Sequence, residues 1–500
     1  MNLNPLLLVD FYKMTHGKMY PENCSKLVSY YVPRMSRLKD QKELIMFGLQ
    51  GFIKEYLANE YYSTLFDKNF FKVGKSIVIH QYRCLVEKCL GKDVVDLKKI
   101  EALHDLGYLP LEIKALPEGT RVPVGVPMIE ISNTHPDFAW LVNTIETMMS
   151  CSLWHTQMSA NVGYMYRQIV NEWYDKSVDD SYPRARALSD FSMRGQESVE
   201  SAVHSSAAFL LSFLNTVTVP AILYLDKNYV DPVNDEGTEI GYGSVSTEHS
   251  TVCSNYGVDG DEETFFKKLI TEIYPKGNVS YVADAYDYWN FIDNILPKFK
   301  DVILAREGIC SIRGDSGSLV EVVTKTVFKL WDIFGGTVNE KGYKVLDSHV
   351  RAIYSDSVMP NHLVEIYRIL TNNGFACNNC LLGVGSFSFQ CLREDDKIQP
   401  YTRDTFGLKI SSTYCEVNGK EYQIYKQPKE CDFKKSHKGL CYVHILENKI
   451  VCDDNHSSES LKNSIKLFGK NMLETIFKDG ELVKEQSLTE IRNRLHEDKF

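Results

Sequence analysis

The residues best suited to chemistry stand together in one short string, Ser311-Ile-Arg-Gly-Asp-Ser-Gly317, at the end of a predicted strand. Arg313 supplies a planar cation, Asp315 can accept from sugar hydroxyls or hold Mg²⁺, and the serine and glycine that follow present backbone N–H groups. This combination suits a sugar phosphate, although a turn with a capping aspartate is the alternative. Ser355-Asp356 and Asp284 end two other strand-like runs. Three carboxylates at strand ends favour a binding site over a set of turns.

A glycine-rich string, Gly383-Val-Gly385-Ser386-Phe-Ser388, partly matches the GxGxxG fingerprint of dinucleotide-binding proteins. No βαβ unit with an acidic residue about 20 positions later completes it. The pattern therefore argues against a dinucleotide fold. It still allows a phosphate cradle, which needs only small residues and open backbone N–H groups.

Other polar strings add candidate ligand contacts. His249 lies in the polar string STEHST, unlike the usual surroundings of a core histidine, although a lone histidine is more often structural. Phe191 and Arg194 in DFSMRG place an aromatic face beside a cation and could seat a flat ring, with a core phenylalanine as the alternative. Basic residues recur in the C-terminal third and form either an anion site or a solvated face: Lys409, Lys426, Lys434, Lys435 and Lys438.

The elements that must position these residues follow from hydrophobic patterning. Residues 100–135 and those after 400 have β-strand character, with an Asn418-Gly419 hairpin signal, whereas residues 136–174 have helical spacing. Between residues 186 and 390, strand-like runs alternate with helical segments, which predicts a parallel sheet or barrel with its ligand at the strand C-terminal ends. The predicted strands are ILYLD, NVSYVAD, SIRGDS, VRAIYSDS and NCLLGVGS. The predicted domains are residues 1–150, 151–395 and 396–500.

Composition excludes several classes of protein. The 500 residues are 44% hydrophobic and 24% charged, with a net charge of −10 that argues against a general nucleic-acid binder. No basic region precedes the apolar run near the N-terminus, and no stretch approaches the roughly 18 apolar residues of a membrane span. We therefore expect a cytosolic protein whose 13 cysteines are reduced. Cys377 and Cys380 lack the second pair that a zinc site needs.

Taken in order, these strings resemble the nicotinamide phosphoribosyltransferase family from Asp10 to the C-terminus. The strings DFYKMTHGKMYP, DFSMRG, EHST, ADAYD, RGDSG and TRD, with the closing lysines, carry the resemblance. It implies the type II phosphoribosyltransferase fold, an α/β architecture with an irregular α/β barrel and a β-rich domain built from both chain ends. It also implies a homodimer with active sites at the interface. The implied reaction transfers phosphoribosyl from 5-phosphoribosyl 1-pyrophosphate to nicotinamide, in NAD biosynthesis.

The resemblance further implies roles for single residues. Phe191 and Tyr12 of the partner subunit would sandwich the nicotinamide ring, and Arg313 would contact its carboxamide end and the sugar. Asp284 and Asp315 would hold ribose, diphosphate or Mg²⁺, and His249 would be phosphorylated by ATP. The remaining contacts would be Ser355 and Asp356 to the ribose, Gly385, Ser386 and Arg403 to the 5′-phosphate, and Arg34, Arg194, Lys409, Lys426 and Lys434 to the diphosphate.

Four departures from the family pattern bear on the substrate. Val217 stands where the family usually has an aspartate that accepts from the carboxamide NH₂, Ser355 and Ser386 replace glycines, and Met193 replaces an aromatic residue. An extra stretch of about ten residues (393–400) precedes Arg403. A nicotinate phosphoribosyltransferase is therefore the alternative enzyme. A catalytically silent nucleotide-binding regulator is the alternative from another class.

Overall fold

The computed structural model describes residues 3–59, 64–230, 237–355, 357–394, 397–429 and 435–497. The chain forms two compact units. Unit 1 comprises Met1–Met158, Lys227–Glu236 and Tyr401–Lys499, and unit 2 comprises Ser159–Asp226 and Gly237–Pro400. Across the described ranges, no helix combines the length and the hydrophobicity needed to cross a membrane.

Unit 1 is built on a seven-stranded antiparallel sheet to which both ends of the chain contribute. Its strands are, in spatial order, Lys420–Gln423, Leu408–Val417, Cys24–Pro33, Ile129–Asn133, Leu111–Ala115, Glu474–Lys478 and Glu481–Leu482. Alternate residues of Leu111–Ala115 are buried, as expected of a strand with one face on the core. The predicted hairpin is confirmed, because Asn418 and Gly419 both have positive φ (50° and 73°) and Val417 pairs with Lys420.

Two short antiparallel pairs and several helices complete unit 1. The pairs are Glu43–Ile45 with Arg121–Pro123 and Leu440–Leu446 with Lys449–His456. The helices are Phe11–Thr15, Leu49–Phe52, Lys75–Cys89, Leu97–Leu106, Leu141–Thr144, Ser458–Phe468 and Leu488–His496. Two further helices contribute residues to both units, Glu146–Ser177 and Val219–Tyr229.

A buried carboxylate joins distant segments within unit 1. Glu118 accepts hydrogen bonds from the backbone N–H groups of Gly48 (3.2 Å) and Gln50 (2.7 Å) at the start of the helix Leu49–Phe52. Burial raises the pKa of Glu118 to about 7. The Gln486 side chain in turn accepts from the Glu118 backbone N–H at 3.0 Å, so the carboxylate lies where the N-terminal and C-terminal segments meet.

Unit 2 is built on a seven-stranded sheet whose strands are all parallel. In spatial order they are Asn215–Thr216, Leu188–Asp190, Cys380–Val384, Val350–Tyr354, Cys310–Gly314, Val279–Val282 and Val245–Ser246. Four of the predicted strands are confirmed. Because the strands are parallel, their C-terminal ends lie along one edge of the sheet.

Helices follow the strands of unit 2, as the alternating pattern predicts. They are Val199–Phe209, His249–Asp259, Glu262–Lys268, Tyr288–Asn290, Lys300–Ala305, Leu319–Phe334, Pro360–Asn372 and Phe387–Gln390. Leu319–Phe334 buries one apolar face, which includes Val323, Val327 and Leu330. Residues 393–394 and 397–400 belong to an antiparallel pair, Cys391–Glu394 with Lys397–Pro400. A second pair joins Gly336–Val338 to Lys344–Leu346.

The prediction of a strand at ILYLD (residues 222–226) is wrong, because these residues lie in the helix Val219–Tyr229. Ala221 and Leu225, four positions apart, are buried, whereas Leu223 is 63% exposed. This is helical periodicity. A five-residue apolar run is too short to distinguish a strand from a helix, and Pro220 is compatible with the first helical turn.

Candidate functional site

A cavity of about 600 Å³ in unit 2 is lined by residues that lie within the parallel strands or follow their C-terminal ends. Hydroxyl groups, two arginines and two carboxylates dominate its wall, so it suits a polar, charged ligand. The predicted site residues on this wall are Phe191, Arg194, Arg313, Asp315, Ser355, Gly385 and Ser386.

Arg313 is the most buried cation of the cavity. It lies on the strand Cys310–Gly314, is only 8% exposed, and donates through Nη1 to Ser246 Oγ at 3.0 Å. Within the described part of the chain, its buried Nε has no hydrogen-bond partner. Burial lowers the pKa of Arg313, opposed by the nearby charges of Asp315 and Asp284. Arg313 therefore brings a largely buried positive charge to the cavity wall, which suits an anionic ligand.

Two carboxylates at neighbouring strand ends are linked through a backbone amide. Asp284 Oδ2 accepts from the Asp315 N–H at 3.1 Å and from Ser316 Oγ at 2.6 Å. Asp315 Oδ1 accepts from Ser355 Oγ at 2.5 Å, and its Oδ2 accepts from no described residue. The structure thus brings Asp284, Asp315 and Ser355 together, with one carboxylate oxygen open to a ligand.

His249 begins the helix His249–Asp259, directly after the N-cap residue Glu248. Its Nε2 lies 3.2 Å from Asp284 Oδ1, and its side chain is 47% exposed. The Asp284 side chain is only 5% exposed. A buried carboxylate therefore orients an accessible imidazole, which is the arrangement that a reactive histidine needs.

A buried aspartate organises two loops on the cavity wall. Asp190 is fully buried and accepts from the Ser192 N–H (2.9 Å), Thr216 Oγ1 (2.7 Å) and Thr218 Oγ1 (3.0 Å). These bonds fix the backbone on either side of Phe191 and of Val217, both of which line the cavity. Val217 is 47% exposed, so its side chain faces open space within the site.

The glycine-rich string lies where the backbone must approach closely. A Cβ atom on Gly385 would lie 2.5 Å from Ser357 Oγ, so a larger residue would displace this part of the wall. Ser386 follows directly and precedes the short helix Phe387–Gln390. The string is part of the cavity wall rather than the first turn of a dinucleotide fold.

Several polar wall residues were not predicted. Ser246 and Ser280 pair in register on adjacent strands, and both line the cavity. Ser280 is 3% exposed, and its hydroxyl has no partner among the residues described. The sequence signal that could have identified Ser280 as a wall residue was a small polar residue within an otherwise apolar strand, as in VSYV.

The remaining predicted site residues that the structure describes belong to unit 1. Arg34 and Lys409 line a separate cavity of about 230 Å³ together with Lys435 and His437. Lys409 Nζ lies 3.0 Å from Glu146 Oε1, and Arg34 donates through Nε to the Gly407 carbonyl at 2.9 Å. This basic cavity suits an anion.

Tyr12 and Arg403 are neighbours in unit 1, although neither lines the basic cavity. Tyr12 is 59% exposed on the helix Phe11–Thr15. Partial burial raises the pKa of its phenol, and the charge of Arg403 opposes that shift. Lys426 is exposed near Ser436, to whose hydroxyl it donates from its backbone N–H at 2.8 Å. Asp356 and Lys434 lie outside the described residues.

Comparison with protein families gives two matches. The nicotinate phosphoribosyltransferase (NAPRTase) family matches residues 186–468, which is more than half of the chain. The N-terminal domain of nicotinamide phosphoribosyltransferase matches residues 4–100. A nicotinamide phosphoribosyltransferase from Acinetobacter baylyi is 34% identical, covering 99% of this chain and 97% of its own. One from Xanthomonas campestris pv. campestris is 29% identical, covering 98% and 97%.

Two crystal structures share the fold. Nicotinate-nucleotide pyrophosphorylase from Pyrococcus furiosus has a TM-score of 0.56 at 13% identity, covering 99% of this chain and 95% of its own. Human nicotinic acid phosphoribosyltransferase has a TM-score of 0.52 at 15% identity, covering 98% and 93%. The predicted type II phosphoribosyltransferase fold and the family resemblance are confirmed. The chain belongs to the nicotinate phosphoribosyltransferase (NAPRTase) family and is an enzyme of the pentosyltransferase class.

Proposed function

We propose that the cavity of unit 2 joins nicotinamide to the phosphoribosyl group of 5-phosphoribosyl 1-pyrophosphate, forming nicotinamide mononucleotide and pyrophosphate. The observation that carries this proposal is that Arg313 and Asp315 line the cavity, while Asp284, after the adjacent parallel strand, accepts from the Asp315 backbone N–H. The name of the Acinetobacter baylyi relative, nicotinamide phosphoribosyltransferase, supports the choice of base.

The charges of the cavity match those that develop in this reaction. Breaking the bond between the anomeric carbon and the diphosphate builds positive charge on the ribose and negative charge on the leaving group. Arg194 and Arg313 lie on the wall that would receive the negative charge, and Asp315 offers its open oxygen to the ribose side. The attacking ring nitrogen already has a lone pair, so no general base is required.

The carboxylates of Asp284 and Asp315 fit a Mg²⁺ ion. Mg²⁺ is usually bound by one or two carboxylates together with substrate phosphates and waters. Asp315 Oδ2 is open, whereas both oxygens of Asp284 already accept hydrogen bonds. We therefore propose that Asp315 is the direct ligand and that Asp284 holds the Asp315 backbone and His249 in place. When bound, the ion would neutralise charge on the diphosphate.

The base would lie against Phe191, with Ser280 and Val217 near its substituent. Phe191 offers an aromatic face on the cavity wall. The buried, unpaired Ser280 hydroxyl would donate to a carbonyl oxygen or accept from an NH₂ group if it turned toward the base. A hydroxyl can form a hydrogen bond with either a carboxamide or a carboxylate. This is why nicotinate remains the second candidate substrate, favoured by the valine at position 217.

Product identification separates the two candidates. The purified enzyme is given equal concentrations of nicotinamide and nicotinate with 5-phosphoribosyl 1-pyrophosphate and Mg²⁺, and the mononucleotides are resolved by mass spectrometry. We expect the nicotinamide product to dominate. A large excess of the nicotinate product would establish the second candidate, and the absence of both with no pyrophosphate release would support the silent regulator.

We also propose that ATP stimulates the reaction by phosphorylating His249 and that the enzyme works as a homodimer. Asp284 engages Nε2 of His249, and the half-exposed ring leaves Nδ1 without a partner among the described residues. Attack of Nδ1 on the γ-phosphorus of ATP would form an N–P bond and break the bond from that phosphorus to the bridging oxygen, which leaves with ADP. The dimer proposal rests on the resemblance, in which Tyr12 of the partner subunit completes the base site.

A further inference from the structure

Three ligand atoms of the type that zinc prefers lie together in unit 1, outside the cavity of unit 2. His437, Cys441 and Cys452 each offer one atom, and all three atoms lie within 4.8 Å of one another. The two cysteines belong to the antiparallel strands Leu440–Leu446 and Lys449–His456, where a register shift next to Cys441 interrupts the pairing. Tetrahedral zinc places its sulfur and nitrogen ligands about 3.5–3.8 Å apart. A small inward movement of the side chains would therefore complete the contact.

The hydrogen bond that His437 makes through Nε2 indicates a cation beside Nδ1. Nε2 lies 2.8 Å from the Gly125 carbonyl oxygen, which can only accept, so Nε2 carries the proton. Nδ1 lies 3.2 Å from Asp454 Oδ2, which is also an acceptor. The neutral ring would thus set a lone pair against a carboxylate oxygen. A proton or a metal ion between them removes this conflict.

The surroundings of the imidazole are those of a metal ligand. Histidine ligands commonly donate their second N–H to a backbone carbonyl, which fixes the tautomer and the ring orientation. Gly125 supplies that carbonyl here. Asp454 Oδ2 lies beside His437 Nδ1 but outside the group whose ligand atoms are all within 4.8 Å of one another. It is held by the Lys438 backbone N–H at 3.1 Å, so the carboxylate would have to turn toward the thiols to act as the fourth ligand.

We propose that His437, Cys441 and Cys452, with Asp454 as the fourth ligand, bind a divalent metal ion that favours sulfur, such as Zn²⁺. Two thiolates, one imidazole and one carboxylate match the ligands of four-coordinate zinc. Each thiol releases one proton to solvent when the ion binds. The site is structural, since all four positions are filled by protein.

The ion would tie the hairpin that carries both cysteines to the segment containing His437. His437 also lines the basic cavity that contains Arg34 and Lys409. Metal binding would therefore hold one wall of that cavity and stabilise unit 1. This inference concerns metal binding alone and does not depend on the proposed substrate.

The test uses the full-length protein, treated with a chelator and a thiol-free reductant and then titrated with Co²⁺ and Zn²⁺. We expect one Co²⁺ per chain with thiolate charge-transfer absorption, displacement by Zn²⁺, and a higher melting temperature with Zn²⁺. Cys452→Ser should lose roughly 10²-fold or more in affinity, and Asp454→Asn roughly 10-fold. Cys415→Ser, which alters a buried cysteine of the same unit outside the cluster, should bind as the parent does.

Three results would overturn the proposal. One is the absence of thiolate absorption in the parent protein. Another is equal thiolate absorption in the parent and in Cys452→Ser. If the serine variant does not fold, His437→Gln takes its place in this comparison. The third is a Cys441–Cys452 disulfide in the unreduced protein with no metal uptake after reduction, which would identify the pair as redox-active instead.

Discussion

Asp284 and Asp315 are both carboxylates at strand ends, yet their hydrogen bonds give them different tasks. Asp284 is almost fully buried, and its oxygens accept from His249, the Asp315 N–H and Ser316. It therefore positions other groups. Asp315 keeps one oxygen open on the cavity wall and is the carboxylate that can meet a substrate or an ion.

Asp315→Asn should reduce kcat/KM by roughly 10²-fold or more, because it removes a negative charge from the reacting centre. The asparagine can still accept from Ser355, so the melting temperature should stay close to that of the parent. Steady-state rates and thermal unfolding of the purified variant check both expectations. Asp332→Asn, on the exposed side of the helix Leu319–Phe334, is the matched control. A rate near that of the parent would contradict the proposed role of Asp315.

Val217→Asp should raise the ratio of nicotinamide to nicotinate kcat/KM by about 10-fold or more. An aspartate there can accept from the carboxamide NH₂ group and repels a carboxylate, and one such polar contact is worth about 1–3 kcal/mol. Val199→Asp places the same charge at an exposed valine of unit 2 that does not line the cavity. An unchanged ratio in Val217→Asp would show that position 217 does not contact the base.

The sequence predicted the residues of the cavity that stand out in polar strings, such as Arg313 and Phe191. It did not predict Ser280, because one serine in an apolar strand carries no sign of which face it occupies. Nor did it predict the role of Asp190, whose partners Thr216 and Thr218 lie more than twenty residues away. Hydrogen bonds between distant segments depend on sheet order, which local patterns do not specify.

The first turn of the helix His249–Asp259 is the element that connects Asp284 to the proposed ATP chemistry. His249→Ala should lose labelling by γ-labelled ATP and lose stimulation by ATP, while ATP-independent turnover remains measurable. The parent should yield an acid-labile, base-stable phosphoprotein. His349→Ala is the matched control, because His349 forms another histidine–aspartate pair in unit 2, with Asp347 at 2.7 Å. Equal labelling of the parent and His249→Ala would exclude phosphorylation at His249.

Elements with strong local signals were predictable, and those without were not. The Asn418-Gly419 turn needs two positive φ angles, so its residues identify it directly. The ILYLD segment has no such signal, and its helical state depends on which side chains the rest of unit 2 buries. The order of the strands in each sheet could not be predicted from local sequence signals either, and it is known only from the structure.

We expect Glu118 to make the stability of the whole molecule depend on pH. The fold raises its pKa from 4.5 to about 7, so the folded state binds this proton more tightly than the unfolded state does. Its contribution to the free energy of unfolding is full below pH 4.5 and is lost as the pH rises to about 7, by ~3 kcal/mol in total.

Glu118→Gln should therefore flatten this part of the stability profile. Chemical unfolding of the parent and the variant at a series of pH values measures the difference. Glu87→Gln, at an exposed glutamate of the same unit, should keep the slope of the parent. Parallel profiles for the parent and Glu118→Gln would show that Glu118 does not titrate in this range.

A homodimer with shared active sites predicts complementation between inactive variants. Asp315→Asn alters unit 2 of one subunit and Tyr12→Ala removes the ring that the partner subunit would supply, so a mixed dimer would contain one site with neither defect. Random mixing should restore roughly a quarter of the parent rate. Asp315→Asn mixed with Arg313→Ala should restore none, because both changes lie in unit 2. No recovery in the first mixture, with mixed dimers shown by mass spectrometry, would rule out shared sites.

Val217 is held in place by its neighbours and not by its own side chain. Thr216 and Thr218 anchor the loop to Asp190, and Val217 itself contributes only a backbone N–H, donated to the Asp190 carbonyl at 3.0 Å. The hydrogen bonds of the loop therefore need only the backbone N–H of this residue, which proline lacks. If position 217 contacts the base, as proposed, a substitution there would change the preference between nicotinamide and nicotinate while leaving the hydrogen bonds from Thr216 and Thr218 to Asp190 intact.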